Sequence, residues 1–375
     1  MKKDIAGIVA LVMLFTFMFA GASLAEEKKI NVVTTIFPVY DWVREIVSDS
    51  DNVEITMLLD NGVDLHSYQP TAQDIMKVAT CDVFAYVGGE SDEWVGDALA
   101  ESVNPDMVAV NLVEAMGEDI KMEEIVEGME HEHEDEEHED EEHEDKEYED
   151  EEHEDKEHED EEHEDEEHED EEHEDEEHED EEHEHEGEEH DHEHEDEVDE
   201  HVWLSLRTAR KLVKALAVAL GEADPANAAN YAASADAYAE KLAALDAEYA
   251  ATREAAEFDT VLFGDRFPFR YLVDDYNLTD YAAFSGCSAE SEASFETIAF
   301  LAGKVNALGL TTVLTIEGDN HRIAETIVGN TQAKDAKVLA MDSLQGTTGE
   351  DVKNGATYLG AMEANLEVLK QALVR

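Results

Sequence analysis

The stretch from Glu130 to Glu197 constrains this chain more than any other: it is almost entirely Glu, Asp and His, and repeats Glu-Glu-His-Glu-Asp every five residues from about His138 to His183. A five-residue period advances about 140° per repeat on a 3.6-residue helix, so the histidines spread around every side and no apolar stripe forms. Dense like charge and near-absent hydrophobic residues leave nothing to offset the entropy of ordering, so the tract cannot bury a core. It reads as disordered or loosely helical, and it separates two segments of ordinary globular composition.

Of the 18 histidines, only His66, His201 and His321 lie elsewhere. Neutral imidazoles among carboxylates suit Zn(II), and less strongly Ni(II), Cu(II) or Mn(II), in shifting sets without fixed geometry. A solubilising acidic spacer is the alternative, but a spacer needs no histidine in every pentad. The net charge is −76, with about half of the acidic residues in the tract. The remainder is still acidic, which makes nucleic acid and anionic membrane surfaces poor partners and cations the natural ligand class.

Residues 1–25 read as a cleavable signal peptide: Lys2 and Lys3, an apolar run from Ile5 to Ala20, then Ser23-Leu24-Ala25 as a small-residue cleavage site. A soluble, periplasmic mature protein is expected, without a lipid anchor, because no cysteine lies near the cleavage site. Cys81 and Cys287 fall in different halves and are not expected to pair.

From Ile30 the chain alternates β-branched runs with amphipathic segments. Strands are expected at Ile30–Ile36, Val53–Leu59, Asp82–Val87 and Met107–Leu112, and helices at Val39–Val47, Thr71–Ala79 and Ala98–Ser102. Beyond the tract, a helix from Ser205 to about Leu220 stops at Gly221. Asp224-Pro225 then opens a helix of around 30 residues to about Ala256, roughly 45 Å long. The second half repeats the rhythm, with strands at Thr260–Gly264, Tyr281–Ser285, Thr312–Ile316 and Lys337–Met341, and helices at Tyr271–Tyr276, Ser294–Leu308, His321–Ile327 and Asp351–Val374.

The fold class is α/β: two βα lobes with parallel sheets joined by a long rigid helix, with a ligand cleft between them. The boundaries are 26–129 for the N-terminal lobe, 130–197 for the tract, 198–222 for the end of that lobe, 223–257 for the linking helix and 258–375 for the C-terminal lobe. His66 follows the second strand in Asp64-Leu65-His66-Ser67-Tyr68-Gln69-Pro70, a ligand position at the carboxyl edge of a parallel sheet.

Four motifs carry a resemblance. They are Val32-Val33-Thr34-Thr35-Ile36-Phe37-Pro38, His66-Ser67-Tyr68-Gln69-Pro70, Tyr86-Val87-Gly88-Gly89 through Glu93-Trp94, and Asp199-Glu200-His201-Val202-Trp203-Leu204-Ser205. Together they resemble the zinc/manganese solute-binding proteins of ABC importers, over essentially the whole mature chain. Zinc-importing members carry a His-rich acidic insertion just before the second ligand histidine, and the tract here ends four residues before His201.

The resemblance implies that His66 and His201 are metal ligands. The family's third ligand, usually a histidine, falls on Gly264 in Phe263-Gly264-Asp265-Arg266-Phe267, so Asp265 is the substitute it leaves. Its fourth, a carboxylate, matches Asp342 in Leu339-Ala340-Met341-Asp342-Ser343-Leu344. Weaker candidates are Cys287, whose thiolate would bind zinc, Glu317, which is better placed to line the cleft than to ligate, and His321 at a helix start.

The resemblance further implies an ABC permease membrane subunit as partner, a monomer, and Zn(II) as the transported ligand, with Mn(II) open because two carboxylates favour the harder ion. A periplasmic zinc store or buffer working through the tract is also open. A zinc hydrolase is disfavoured: the tract contains no His-Glu-x-x-His, and no general base stands near the ligand positions.

Overall fold

The computed structural model describes residues 29–48, 50–123, 197–286, 292–318 and 320–375. The leader, the tract up to residue 196 and Cys287 lie outside the described residues. The chain divides into one unit, 1–130 with 195–375, that holds everything described below, and another, 131–194.

Each half forms a four-stranded parallel sheet. In the first, β1 (Ile30–Thr34), β2 (Val53–Met57), β3 (Val83–Tyr86) and β4 (Val108–Asn111) lie in the order β2-β1-β3-β4. In the second, β5 (Thr260–Phe267), β6 (Thr279–Ser285), β7 (Thr312–Ile316) and β8 (Lys337–Met341) repeat that order as β6-β5-β7-β8. The apolar runs without polar alternation are what a strand covered on both faces requires, and all four residues of β3 but Tyr86 are fully buried. With this order the chain reverses direction across each sheet at its middle, which opens a crevice at the carboxyl ends.

The helices follow the expected pattern with instructive shifts. α1 (Phe37–Val47) starts two residues early, because Pro38 sits in the first turn, where its missing N–H costs nothing. α2 (Ala72–Thr80) carries a capping box in which Thr71 and Asp74 satisfy each other's backbone N–H groups. α3 (Trp94–Ala100) and α4 (Leu112–Met116) complete the first lobe. Glu93 is exposed beside a partly buried Trp94, and the buried carboxylate there is Asp92.

α5 (Leu206–Ala223) is capped by Ser205, whose hydroxyl accepts from the N–H groups of Arg207 and Thr208, both at 3.1 Å. It runs through Gly221 rather than stopping there. A β-carbon on Gly221 would sit 2.9 Å from Ala228 Cβ, so this glycine is where the following helix passes close. That helix, α6 (Ala228–Ala255), has 28 residues and is about 42 Å long. Asp224 does not cap it; its carboxylate instead gathers Asn227 Nδ2, Tyr231 Oη and Asn52 Nδ2.

In the second lobe β5 continues past Gly264 through a bulge, where Phe263 faces Ala282 but Arg266 faces Phe284. α7 (Arg270–Asp275), α8 (Phe295–Leu308) and α9 (Arg322–Asn330) follow. The long C-terminal helix is two: α10 (Gly349–Lys353) and α11 (Tyr358–Ala372), broken at Gly355, whose φ of 101° only glycine adopts without strain.

The lobes share one continuous core. Tyr358 is fully buried between them: its hydroxyl donates to Trp203 O at 2.6 Å, its N–H to Asp41 Oδ2 at 2.7 Å, and its ring meets Trp42 edge-on at 5.1 Å. Tyr249 of α6 donates to Met362 O at 2.6 Å. This bond pins the rod to α11. Cys81 is a free, buried thiol, pushed up to about 12 by burial, then by Asp82.

Candidate metal centre

His201 precedes a 3-10 turn, Val202–Leu204, and its side chain has no exposed surface. Asp199 holds it twice: Oδ1 accepts the His201 backbone N–H at 2.8 Å and faces ring Nδ1 at 3.0 Å. An aspartate two residues upstream reaches this N–H as an Asx turn. The carboxylate places the ring proton on Nδ1, which leaves the Nε2 lone pair free. Asp199 is itself anchored across the lobes, because Tyr271 Oη donates to its carbonyl at 3.0 Å.

His66 repeats the device. Asp64, again two residues upstream, caps the turn Leu65–Ser67 by accepting the His66 N–H at 3.0 Å. Its ring Nδ1 meets Ser91 Oγ at 2.8 Å. Ser91 is fixed in turn, because its N–H donates to Glu200 Oε1 at 2.9 Å. Gly89, with φ of 81°, makes room: a β-carbon there would collide with the Glu200 carboxylate.

The two rings converge. His66 Nε2 and His201 Nε2 are 3.2 Å apart, with ring centroids 5.2 Å apart. Asp199 keeps the proton of His201 on Nδ1, and with the Ser91 hydroxyl accepting from His66 Nδ1 the two Nε2 lone pairs would face each other. Two Zn–N bonds of about 2.05 Å at a tetrahedral angle place their nitrogens about 3.3 Å apart, so the pair is spaced as one edge of such a site. Burial, then the neighbouring His201, lowers His66 to about 4, which keeps it neutral and ready to ligate. Glu200 Oε2 lies 3.7 Å from His66 Nδ1, and burial raises that carboxyl above its usual range.

The second lobe supplies Asp342 just after β8. Its N–H donates to Asn365 Oδ1 at 2.7 Å, and its Oδ1 accepts Leu344 N–H at 2.8 Å. Burial, then Glu317, pushes its carboxyl up to about 6. The next residue, Ser343, accepts Trp203 Nε1 at 2.9 Å on its carbonyl, which ties this loop to the indole two residues after His201. Glu317 holds the same loop, accepting Ser343 N–H at 2.7 Å and the Ser343 hydroxyl.

Asp265 is committed to its own sheet. Oδ1 accepts Arg266 N–H at 2.9 Å, and Oδ2 accepts the Thr315 hydroxyl and Ile316 N–H. At Gly264 any β-carbon would collide with the Ala324 backbone at the start of α9, so the position matched to the family's third histidine has no room for a side chain. His321 caps nothing with its ring; Nδ1 lies 3.4 Å from Thr315 Oγ1.

Among the described residues, then, His66 and His201 come together, and no group of three or more His, Cys, Asp or Glu side chains closes around one point. Sequence reasoning missed Asp199, Ser91, Glu200 and Asp64 as supports. Two of them carried a signal: Asp64-Leu65-His66 and Asp199-Glu200-His201 are the same Asp-x-His pattern.

Comparison with known proteins gives a consistent picture. The family model described as ZnuA, zinc-uptake complex component A periplasmic, matches residues 32–372. The zinc-binding protein AdcA of Streptococcus pyogenes serotype M3 is 28% identical over 374 residues, covering 99% of this chain and 61% of the relative. The chain thus spans about three fifths of the length of the first such relatives. The high-affinity zinc uptake system protein ZnuA of Bacillus subtilis is 26% identical over 354 residues, covering 94% of this chain and 91% of that protein. Among solved structures, the Zn(II)-bound ZnuA-like domain of Streptococcus pneumoniae AdcA superposes with a TM-score of 0.61 at 23% identity, covering 92% of this chain and 99% of that one, a likeness of fold.

Proposed function

The chain belongs to the periplasmic zinc-uptake complex component A family, and from that premise we propose that it captures Zn(II) in the cleft and delivers it to an ABC-type permease. The observation that carries this reading is the pair of imidazole nitrogens 3.2 Å apart, each ring held at Nδ1 so that Nε2 points at its partner. The ion is cargo, and no bond is made or broken.

We assign to Asp342 the role of the carboxylate that completes the set, because it is half-buried, raised in pKa and tied to Trp203 through Ser343. Asp265 is the weaker donor, because both its oxygens already accept hydrogen bonds. Export through the leader at 1–25 would put the site on the side of the membrane from which zinc is taken up. The His-rich tract, which ends four residues before His201 in the sequence, would raise the local metal concentration by tethering. Imidazole prefers Zn(II) to Mn(II), and this favours zinc over manganese as cargo.

Metal uptake by cells carrying the cognate permease tests the function: Zn(II) accumulation should require this chain and fail with His201→Ala. Uptake that persists without the chain would sink the reading. A zinc buffer acting through the tract is favoured by one observation, the missing third ligand among the described residues. Retention of a single tight site after removal of the tract excludes it.

A further inference from the structure

The second lobe reaches the His66 turn through a charged contact. Arg266 Nη2 donates to Asp64 Oδ2 at 2.6 Å, and the other oxygen of Asp64 accepts the His66 N–H at 3.0 Å. Both side chains are largely enclosed, 20% and 24% exposed. Arg266 arrives there because of the bulge in β5, where Gly264 and Asp265 are accommodated between the pairs Phe263–Ala282 and Arg266–Phe284. Asp265 fixes the bulge by holding Arg266 N–H on one oxygen and the β7 edge on the other. The irregularity at Gly264 and Asp265 therefore presents an arginine to the first lobe.

An unpaired guanidinium beside two converging imidazoles would repel a cation. Paired with Asp64 its charge is cancelled, and what remains is a directional tie. We propose that Arg266 is a positioning residue for metal capture: through Asp64 it locks the turn Leu65–Ser67 to β5, keeps His66 Nε2 at its separation from His201, and makes release of the ion depend on breaking that tie. This inference rests on the zinc-capture reading.

The test uses the full chain loaded with Zn(II) and chased with excess EDTA, followed by tryptophan emission. Trp42, Trp94 and Trp203 all lie outside the tract, and the Trp203 ring is 5.3 Å from that of His201. Arg266→Gln is expected to speed the slow release phase on the order of tenfold, and Asp64→Asn, which leaves the guanidinium unpaired, more than that. Adding Arg266→Gln to Asp64→Asn should slow release back to the Arg266→Gln rate, and Arg266→Lys should stay within about threefold of the parent. Parent-like release from Arg266→Gln, or effects that simply multiply in the double variant, would overturn the inference alone. Absence of any slow phase in the parent would overturn the capture reading and this inference with it.

Discussion

Asp199 Oδ1 accepts both the backbone N–H of His201, at 2.8 Å, and faces its ring Nδ1, at 3.0 Å, so a single oxygen fixes the position and the tautomer of a fully buried imidazole. Removing that oxygen, as in Asp199→Ala, is expected to weaken Zn(II) binding by about 10–100-fold, the usual effect of losing a support behind a ligating histidine. Asp199→Asn should lose less, because its amide oxygen still accepts. Chelator competition reads both, and equal affinity for parent and Asp199→Ala would remove the aspartate from the account.

Acid should unsettle the metal-free protein through His66. Its folded pKa is lowered from 6.5 to about 4, so below 6.5 the unfolded chain takes up a proton that the folded one refuses. Stability from this group is present above that range and is lost as pH falls, by about 1.4 kcal/mol per unit until the folded value is reached. Asp92 and Asp342, each raised to about 6, act in the opposite direction, because the folded state there holds the proton more tightly. The difference between parent and His66→Gln isolates the histidine: the stability of the parent relative to the variant should decline between pH 6.5 and about 4 in chemical denaturation. A constant difference across that window would contradict the assignment.

Asp342 and Asp265 should separate cleanly by substitution. Asp342→Ala is expected to lower Zn(II) affinity by about tenfold or more while the fold persists. Asp265→Ala should instead lower stability by about 1–3 kcal/mol, since it strands the Thr315 hydroxyl and the Ile316 N–H. Paired calorimetric titration and thermal melts distinguish them, and the reverse pattern would exchange their roles.

Much of this arrangement was legible in the sequence, and the reason is local. The inner strands β1, β3, β5 and β7 are largely buried, mostly apolar runs, and the loop after β2 places His66 by position alone. What was not legible depends on contacts distant in the chain. That Gly264 has no room for a side chain follows from Ala324 of α9 packing on it, which no reading of residues 260–270 reveals. Gly355 splits the last helix through a positive φ that the surrounding helical pattern masks. Nothing in the residues around Arg266 signals that the bulge turns it to Asp64 in the other lobe.

That geometry makes a prediction at Gly264. Restoring the family's histidine, Gly264→His, should not add a ligand; it should cost about 1–3 kcal/mol or more by overpacking against Ala324. A thermal melt at parent stability, together with tighter Zn(II) binding, would show that the helix yields and that the site accepts a third imidazole.

The most direct measurement is calorimetric titration of Zn(II) into the chain lacking residues 130–197, beside the same protein carrying His66→Ala. The account predicts one tight Zn(II) site in the first and none in the second. Retention of tight binding by His66→Ala, or its absence from the parent, would move metal capture away from the His66–His201 pair and contradict the account.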